Sequence, residues 1–172
     1  MAYDHLFKFL MFGSEGSGKS SLILQYTDNA FSTPYVPTIG IDFKIKNLNT
    51  SGKNVELRLW DTPGIERFRR IHKIITNCQD FHAMMYVFDV TDAASFQNIK
   101  SWLYRGSEDV HRILIGNKCD LISNRVVTYV EASGFAKSFG MQYFETSAKN
   151  SGTIIHAFYS VTSELMKTRC SR

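Results

Sequence analysis

Leu6-Phe7-Lys8-Phe9-Leu10-Met11-Phe12 runs straight into Gly13-Ser14-Glu15-Gly16-Ser17-Gly18-Lys19-Ser20, and Ser21-Leu22-Ile23-Leu24-Gln25-Tyr26 follows. The first stretch is an apolar run that suits a buried strand, and the last reads as a helix opening at Lys19 or Ser20. The eight residues between satisfy GxxxxGK[ST] in the strand–loop–helix context that gives this motif its meaning. Its glycines let consecutive backbone N–H groups turn toward phosphate oxygens, and the helix N-terminus adds partial positive charge. Lys19 is placed to reach β- and γ-phosphates, and the Ser20 hydroxyl to ligate magnesium. The motif points strongly to a phosphate site and says nothing about the base.

Downstream, the spacing predicts strands over Ile41–Leu48 and Val55–Trp60 around a hairpin-like turn at Ser51-Gly52-Lys53. Val55, Leu57 and Leu59 alternate with Glu56 and Arg58, so one face of that strand meets solvent or a partner. His82–Val90 is almost continuously apolar, as a central parallel strand covered on both faces should be, and it makes Met84 and Met85 core residues. Phe96, Ile99 and Leu103 recur at helical spacing, His111–Ile115 is a strand, and Ala132, Phe135, Ala136 and Phe139 mark a helix. Gln142–Phe144 is a short last strand, and Ile154, Phe158, Val161 and Leu165 mark a final helix. Alternating strands and helices mean an α/β domain with a mostly parallel sheet and right-handed crossovers. Ligands of such sheets sit beyond the carboxyl ends of the strands, where each motif of this chain falls.

The 172 residues fit one domain spanning 1–172, without repeats, low-complexity tracts or linkers. A chain of this length buries roughly 70% of its unfolded surface and needs no disulfide or structural metal. Its 44% hydrophobic and 21% charged residues are those of an ordinary globular protein. Cys78, Cys119 and Cys170 have no paired spacing and read as reduced thiols in the cytoplasm. The net charge of +4 owes much to Arg67, Arg69, Arg70, His72 and Lys73, either a solvated basic face or a contact for an acidic partner. No basic stripe interleaved with aromatics argues for nucleic acid. His5, His72, His82, His111 and His156 fall at no metal-ligand spacing and read as packing or surface residues. The apolar N-terminal run is too short to span a membrane, and Ala2 gives no myristoylation signal.

Asn117-Lys118-Cys119-Asp120 follows the His111 strand, and Glu145-Thr146-Ser147-Ala148-Lys149 closes the last one. The Asp120 carboxylate can accept from both the ring N–H and the exocyclic amine of guanine, a donor pair that adenine lacks. Sites of that kind discriminate by about 10⁴-fold or more. Alone, Asn-Lys-Cys-Asp is only a polar loop. Its weight comes from order: the phosphate loop, Thr38, Asp61-Thr62-Pro63-Gly64, Asn117–Asp120 and Glu145–Lys149 in sequence.

In that order the chain resembles the Ras-superfamily small GTPases over essentially its whole length. Thr38–Lys44 (TIGIDFK), Leu59–Thr62 (LWDT), Glu66–Arg69 (ERFR) and Gly116–Leu121 (GNKCDL) resemble Rab sequences in particular. The resemblance implies a six-stranded mixed sheet with one antiparallel strand, flanked by helices in three layers, binding GTP or GDP with Mg²⁺. It implies that Glu15, Gly16, Ser17, Gly18, Lys19, Ser20 and Ser21 surround the phosphates. Phe31 would pack edge-on against the base, with the Lys118 alkyl stem on its other side. Asn117 would tie the base loop to the phosphate loop, Ser147 would support Asp120, and the Ala148 N–H would meet the guanine carbonyl beside Lys149. Thr38 would bind magnesium and touch the γ-phosphate only in the GTP state, and Asp61 would hold the ion through water. The Gly64 N–H would sense the γ-phosphate, and Tyr35 would close over the nucleotide. Loss of the γ-phosphate would release both segments, the family's order–disorder switch. Intact Lys19, Ser20, Asn117 and Asp120 argue against a fold that binds no nucleotide.

Three departures surround the γ-phosphate. Where the family has Asp-Thr-Ala-Gly-Gln, this chain has Asp61-Thr62-Pro63-Gly64-Ile65. The family's glutamine orients the attacking water, and Ile65 has no side-chain polar atom. Loss of one preorganised polar group at a transition state costs about 3 kcal/mol, near a hundredfold in rate. Pro63 fixes φ and removes a donor, which stiffens the entrance to the switch. Glu15 replaces a small residue and puts a carboxylate near phosphate oxygens, or in the way of an activating protein's arginine. The expectation is a nucleotide-loaded switch with weak hydrolysis; the alternative is a conventional Rab GTPase whose water is held by a substitute group.

Partner surfaces differ as well. The resemblance assigns exchange factors and effectors to residues 35–75, where Phe43 and Trp60 match two aromatics that Rabs present and Ile75 replaces a third, a tyrosine. Thr76–Asp80 replaces the family's Tyr-Arg-Gly-Ala-type stretch, and the segment between Trp102 and Gly116 is about one helical turn shorter than usual. Met166–Arg172 carries a single Cys170 in neither of the prenylation patterns of the family. The expectation is a monomer of the cytoplasm, peripheral on endomembranes through a tail outside this sequence or through a partner.

Overall fold

The computed structural model describes residues 3–31, 38, 42–64, 81–103 and 110–170. Six strands form one sheet: β1 (His5–Phe12), β2 (Asp42–Thr50), β3 (Lys53–Asp61), β4 (Ala83–Asp89), β5 (His111–Asn117) and β6 (Gln142–Thr146). Their order across the sheet is β2-β3-β1-β4-β5-β6. All neighbours are parallel except β2 and β3, which form an antiparallel hairpin. The expected Ile41–Leu48 strand is described from Asp42 and continues to Thr50. Lys53, assigned to the turn from sequence, belongs to β3 and pairs with Thr50. Ser51 and Gly52 alone make the turn, at φ 52° and 74°, as a two-residue hairpin loop requires when both central residues are left-handed.

Four α-helices are described: α1 (Lys19–Asp28), α2 (Ala93–Trp102), α3 (Tyr129–Ser138) and α4 (Ser151–Cys170). Alternation along β1 explains the three layers. Phe7, Phe9 and Met11 face one side, where they meet Leu22, Ile23 and Tyr26 of α1 and Ile154, Phe158, Val161 and Leu165 of α4. Leu10 and Phe12 face the other, against Phe96 and Ile99 of α2 and Ala132 and Ala136 of α3. Strand β4, with cover on both faces, is buried at every position, including Met84 and Met85. On the first face the Phe158 ring stacks between Tyr26, at a centroid distance of 4.3 Å, and Phe9, at 6.1 Å. Aromatic contacts of this kind add to the area they bury. His82 serves packing: it accepts the Lys8 N–H at Nδ1 and meets Phe7 edge-on.

Local caps set where two helices start. The Asp92 carboxylate accepts from the Ala94 N–H to open α2, and the Thr128 hydroxyl oxygen from the Glu131 N–H to open α3. Helix α1 differs, because its N-cap is Gly18 and no side chain caps it. Its first turn therefore opens without the side-chain cap that the other two have.

Candidate functional site

The carboxyl ends of β1, β3, β5 and β6 and the start of α1 supply most of the residues singled out in the sequence. The loop after β1 wraps around Lys19, which is 5% exposed. Its ammonium donates to the Gly13 and Ser14 carbonyls, each at 2.9 Å. Ser14 is pinned from outside the loop: Asn98 Nδ2 of α2 donates to its Oγ at 3.1 Å. Gly16 and Gly18 take left-handed backbone at φ 76° and 94°, and Ser21 lies half-buried in the first turn of α1.

Beside this loop three oxygen-bearing side chains converge. Ser20 Oγ donates to Asp61 Oδ2 at 2.5 Å and lies 2.8 Å from Thr38 Oγ1. Asp61 ends β3 at 7% exposure, and its Oδ1 is buried without a hydrogen-bond partner. Burial pushes the Asp61 carboxyl above the usual carboxylate range, against the lowering pull of the Ser20 hydroxyl and the Lys19 ammonium. An unmatched buried carboxylate oxygen is costly, so this cluster is built for a positive charge it does not itself contain. The next residue, Thr62, is locked by its hydroxyl on the Met11 carbonyl at 2.8 Å. Pro63 and Gly64 are buried behind it. A Cβ on Gly64 would lie 2.5 Å from the Glu15 backbone nitrogen, so the second segment packs directly on the phosphate loop.

A second cradle forms between the ends of β5 and β6. Asn117, 1% exposed, donates from Nδ2 to the Ser17 carbonyl at 2.9 Å and accepts from the Thr146 hydroxyl at 3.1 Å. The Ser147 hydroxyl donates to Asp120 Oδ1 at 2.7 Å, and Lys149 Nζ lies 3.6 Å from Oδ2. Burial alone would raise the Asp120 carboxyl; the Ser147 hydroxyl and Lys149 outweigh it and hold the group ionised, below its ordinary value. Ala148 is buried, and Phe31 is exposed.

The "Ras family" model matches residues 8–167. Ras-related protein RIC1 of Oryza sativa subsp. japonica is 41% identical over 174 residues, which is 99% of this chain and 85% of that one. Ras-related protein RABD2c of Arabidopsis thaliana is 43% identical over 171 residues, 97% of this chain and 83% of that one. The chain belongs to the Ras family. It is a Rab-like small GTPase of the Ras superfamily, a family that binds guanine nucleotides and works through regulators and effectors.

Within this small GTPase the structure brings Lys19, Ser20, Thr38, Asp61, Gly64 and Glu15 together at one end of α1, and Asn117, Lys118, Asp120, Ser147, Ala148 and Lys149 at the next strand ends. Asn117 joins the two groups, as the sequence suggested. Tyr35 and Ile65 lie outside the described residues. Sequence reasoning missed three contacts: Asn98 on Ser14, Asp89 on Lys118, and a network under the base loop. In the last, Arg125 pairs both nitrogens with the Glu145 carboxylate at 2.7 and 2.8 Å, and the Tyr143 hydroxyl donates to the same carboxylate at 2.8 Å. Glu145 stood beside Thr146 in the sequence, but nothing in the spacing paired it with Arg125.

Gly18 tolerates little change in this GTPase. A Cβ there would sit 2.2 Å from Asn117 Nδ2, on a left-handed backbone. Gly18→Ala is expected to expel the Asn117 amide from the Ser17 carbonyl and to uncouple the two cradles. Strain plus a lost buried hydrogen bond amounts to about 2–4 kcal/mol. Thermal denaturation with saturating GDP should show a fall of several degrees. An unchanged midpoint would mean that the loop has room the geometry denies it.

Proposed function

We propose that this chain is a guanine-nucleotide switch of the Rab type, acting in membrane traffic, which binds GTP or GDP with Mg²⁺ and hydrolyses GTP weakly. The whole chain serves as one domain and acts as a monomer, cytoplasmic and peripheral on endomembranes. The observation that carries the binding site is the convergence of Ser20, Thr38 and Asp61 around an unpartnered, buried Asp61 oxygen. Hydroxyl and carboxylate oxygens are the donors a hard divalent cation takes. Ser20 and Thr38 would ligate Mg²⁺ directly and Asp61 would hold it through water. Bound there, the ion supplies positive charge to the β- and γ-phosphate oxygens.

The remaining roles fall to the chain's own groups. Lys19, already oriented by two carbonyls, reaches the β- and γ-phosphates, while backbone N–H groups from Glu15 to Ser21 line the chain of phosphates. Asp120, held ionised by Ser147 and Lys149, accepts from the guanine ring N–H and amine. The Ala148 N–H meets the guanine carbonyl, Lys118 and Phe31 cover the base, and Tyr35 closes over the phosphates. Phe43, 47% exposed and stacked on Trp60 at 5.1 Å, offers residues 35–75 an aromatic contact for exchange factors and effectors. Weak hydrolysis is supported by Ile65, which has no polar side-chain atom where the family has glutamine. Glu15 and Pro63 support the same reading: a Cβ on Gly64, the residue after Pro63, would lie 2.5 Å from the Glu15 backbone nitrogen, so these two departures lie close together.

The test of the binding half is the release of a fluorescent GDP from purified protein. Chelating Mg²⁺ should speed release sharply, and Ser20→Ala should weaken Mg²⁺-dependent retention roughly tenfold or more, the loss typical of even an outer-shell metal partner. If release ignores both chelation and Ser20→Ala, the three side chains do not form a metal site.

A further inference from the structure

At the end of β4, Asp89 is 7% exposed, and three pieces of chain converge on it. Its Oδ1 accepts from the Thr91 N–H at 2.8 Å and from the Thr91 hydroxyl at 2.7 Å. Its Oδ2 lies 2.6 Å from Lys118 Nζ. The backbone beneath is equally fixed. The Asp89 N–H donates to Ser95 Oγ at 3.0 Å, Asp89 pairs with Asn117 in the sheet, and the Val90 N–H donates to the Asn117 carbonyl at 3.0 Å. The carboxylate thus cannot follow Lys118; Lys118 must come to it.

Lys118 would otherwise have little to hold it. Its side chain is 36% exposed, and a four-carbon stem of that exposure samples many rotamers. Its backbone sits at φ 61°, left-handed and uncommon for a residue with a Cβ. The ion pair selects one course for the stem, and that course is informative. Lys118 Cε passes 3.9 Å from a Cβ placed on Gly18, so the stem runs across the mouth between the phosphate loop and the base loop. An alkyl surface held there is a ready platform for a flat heterocycle.

We propose that Asp89 is a positioning residue for nucleotide binding: through the Lys118 ammonium it fixes the lysine stem flat against one face of the guanine. The inference rests on the reading that Lys118 covers the base. Asp89 touches no nucleotide atom in this account; its effect is to spare the bound nucleotide the cost of ordering a long side chain. The charge of the pair is not what binds the base, and the stem alone without its anchor is not enough.

Release of fluorescent GDP from the Mg²⁺-loaded protein decides it, with Lys118→Ala, Lys118→Met, Asp89→Asn and the Lys118→Met/Asp89→Asn double variant compared. Methionine keeps an apolar stem of similar length and removes the anchor. Asparagine keeps the Oδ1 acceptor for Thr91. Lys118→Met and Asp89→Asn should each speed release about tenfold, because an unanchored stem must be ordered whenever it covers the base. The double variant should be no faster than the faster single one. A merely structural Asp89 would lower the melting temperature without this non-additivity. Release by Lys118→Met within twofold of wild type, or single effects that multiply in the double variant, would overturn the inference. If Asp89→Asn fails to fold, Lys118→Met decides alone. If Lys118→Ala itself leaves release unchanged, the lysine does not cover the base and the underlying reading falls, a distinct outcome from a fast Lys118→Ala beside a normal Lys118→Met.

Discussion

Asp120→Asn is expected to reverse the base preference of the site, with guanine nucleotides losing about 10⁴-fold relative to xanthine nucleotides. The carboxylate presents two acceptors, and guanine answers with two donors, the ring N–H and the amine. Asparagine keeps one acceptor and presents an NH₂ in place of the other, so a donor now faces the guanine amine. Xanthine carries a carbonyl at that position and restores a matched pair. The shift should be large because the site cannot relax around the mismatch. Ser147 donates to Asp120 Oδ1 at 2.7 Å, its own N–H is bound by Thr153 Oγ1 at 3.1 Å, and Cys119 is tied to the Thr146 carbonyl at 3.1 Å. Competition between GDP and XDP for the variant, followed by displacement of a fluorescent nucleotide, gives the ratio directly. A variant that still prefers GDP would mean that the base does not lie on Asp120. Ser147→Ala should weaken both nucleotides by a smaller factor without reversing their order, since it loosens the carboxylate and leaves its acceptors in place.

The parts of this site that could be read from sequence are those whose chemistry is local. Gly13–Ser20 announces itself because one turn needs several glycines, a lysine and a hydroxyl within eight residues. The sheet was legible for a similar reason: β4 is apolar throughout and β3 alternates, and both patterns follow from how many faces are covered. The edges of elements were less so. Lys53 joins β3 because Ser51 and Gly52 suffice for the turn, a choice that depends on backbone angles and not on composition.

Contacts between distant residues were legible only where the family resemblance supplied them, as for Asn117 on the phosphate loop. Asn98 and Ser14 are 84 positions apart, and both are polar residues of the kind that usually face water. Arg125 and Glu145 form a two-pronged pair, yet any of the chain's basic residues could have been the partner on sequence grounds. Asp89 was hidden inside an apolar run, where the period of the strand predicts only burial. The shared lesson is physical. Local spacing reports which groups a loop must contain, while the residues that hold those groups still are chosen by the fold and need no particular neighbours in the chain.

Ile65→Gln should raise single-turnover GTP hydrolysis tenfold or more in the Mg²⁺-loaded protein, with an upper bound of about a hundredfold, the value of one preorganised polar group at a transition state. The gain depends on what the rest of the site already supplies. Lys19 is oriented by two carbonyls, and Ser20, Thr38 and Asp61 already converge, so the phosphate side is assembled and the missing element is a group to orient water. The contact between Gly64 and Glu15 limits the recovery. A Cβ on Gly64 would press into the Glu15 backbone, and Pro63 is buried before it. Adding Glu15→Gly should therefore increase the Ile65→Gln rate further, because it removes a carboxylate beside the phosphates. If the wild type already hydrolyses GTP at an ordinary rate for this family and Ile65→Gln leaves it unchanged, then another group holds the water. The protein would then be a conventional timed switch, and Glu15, the one carboxylate of the phosphate loop, would be the first residue to replace in search of that group.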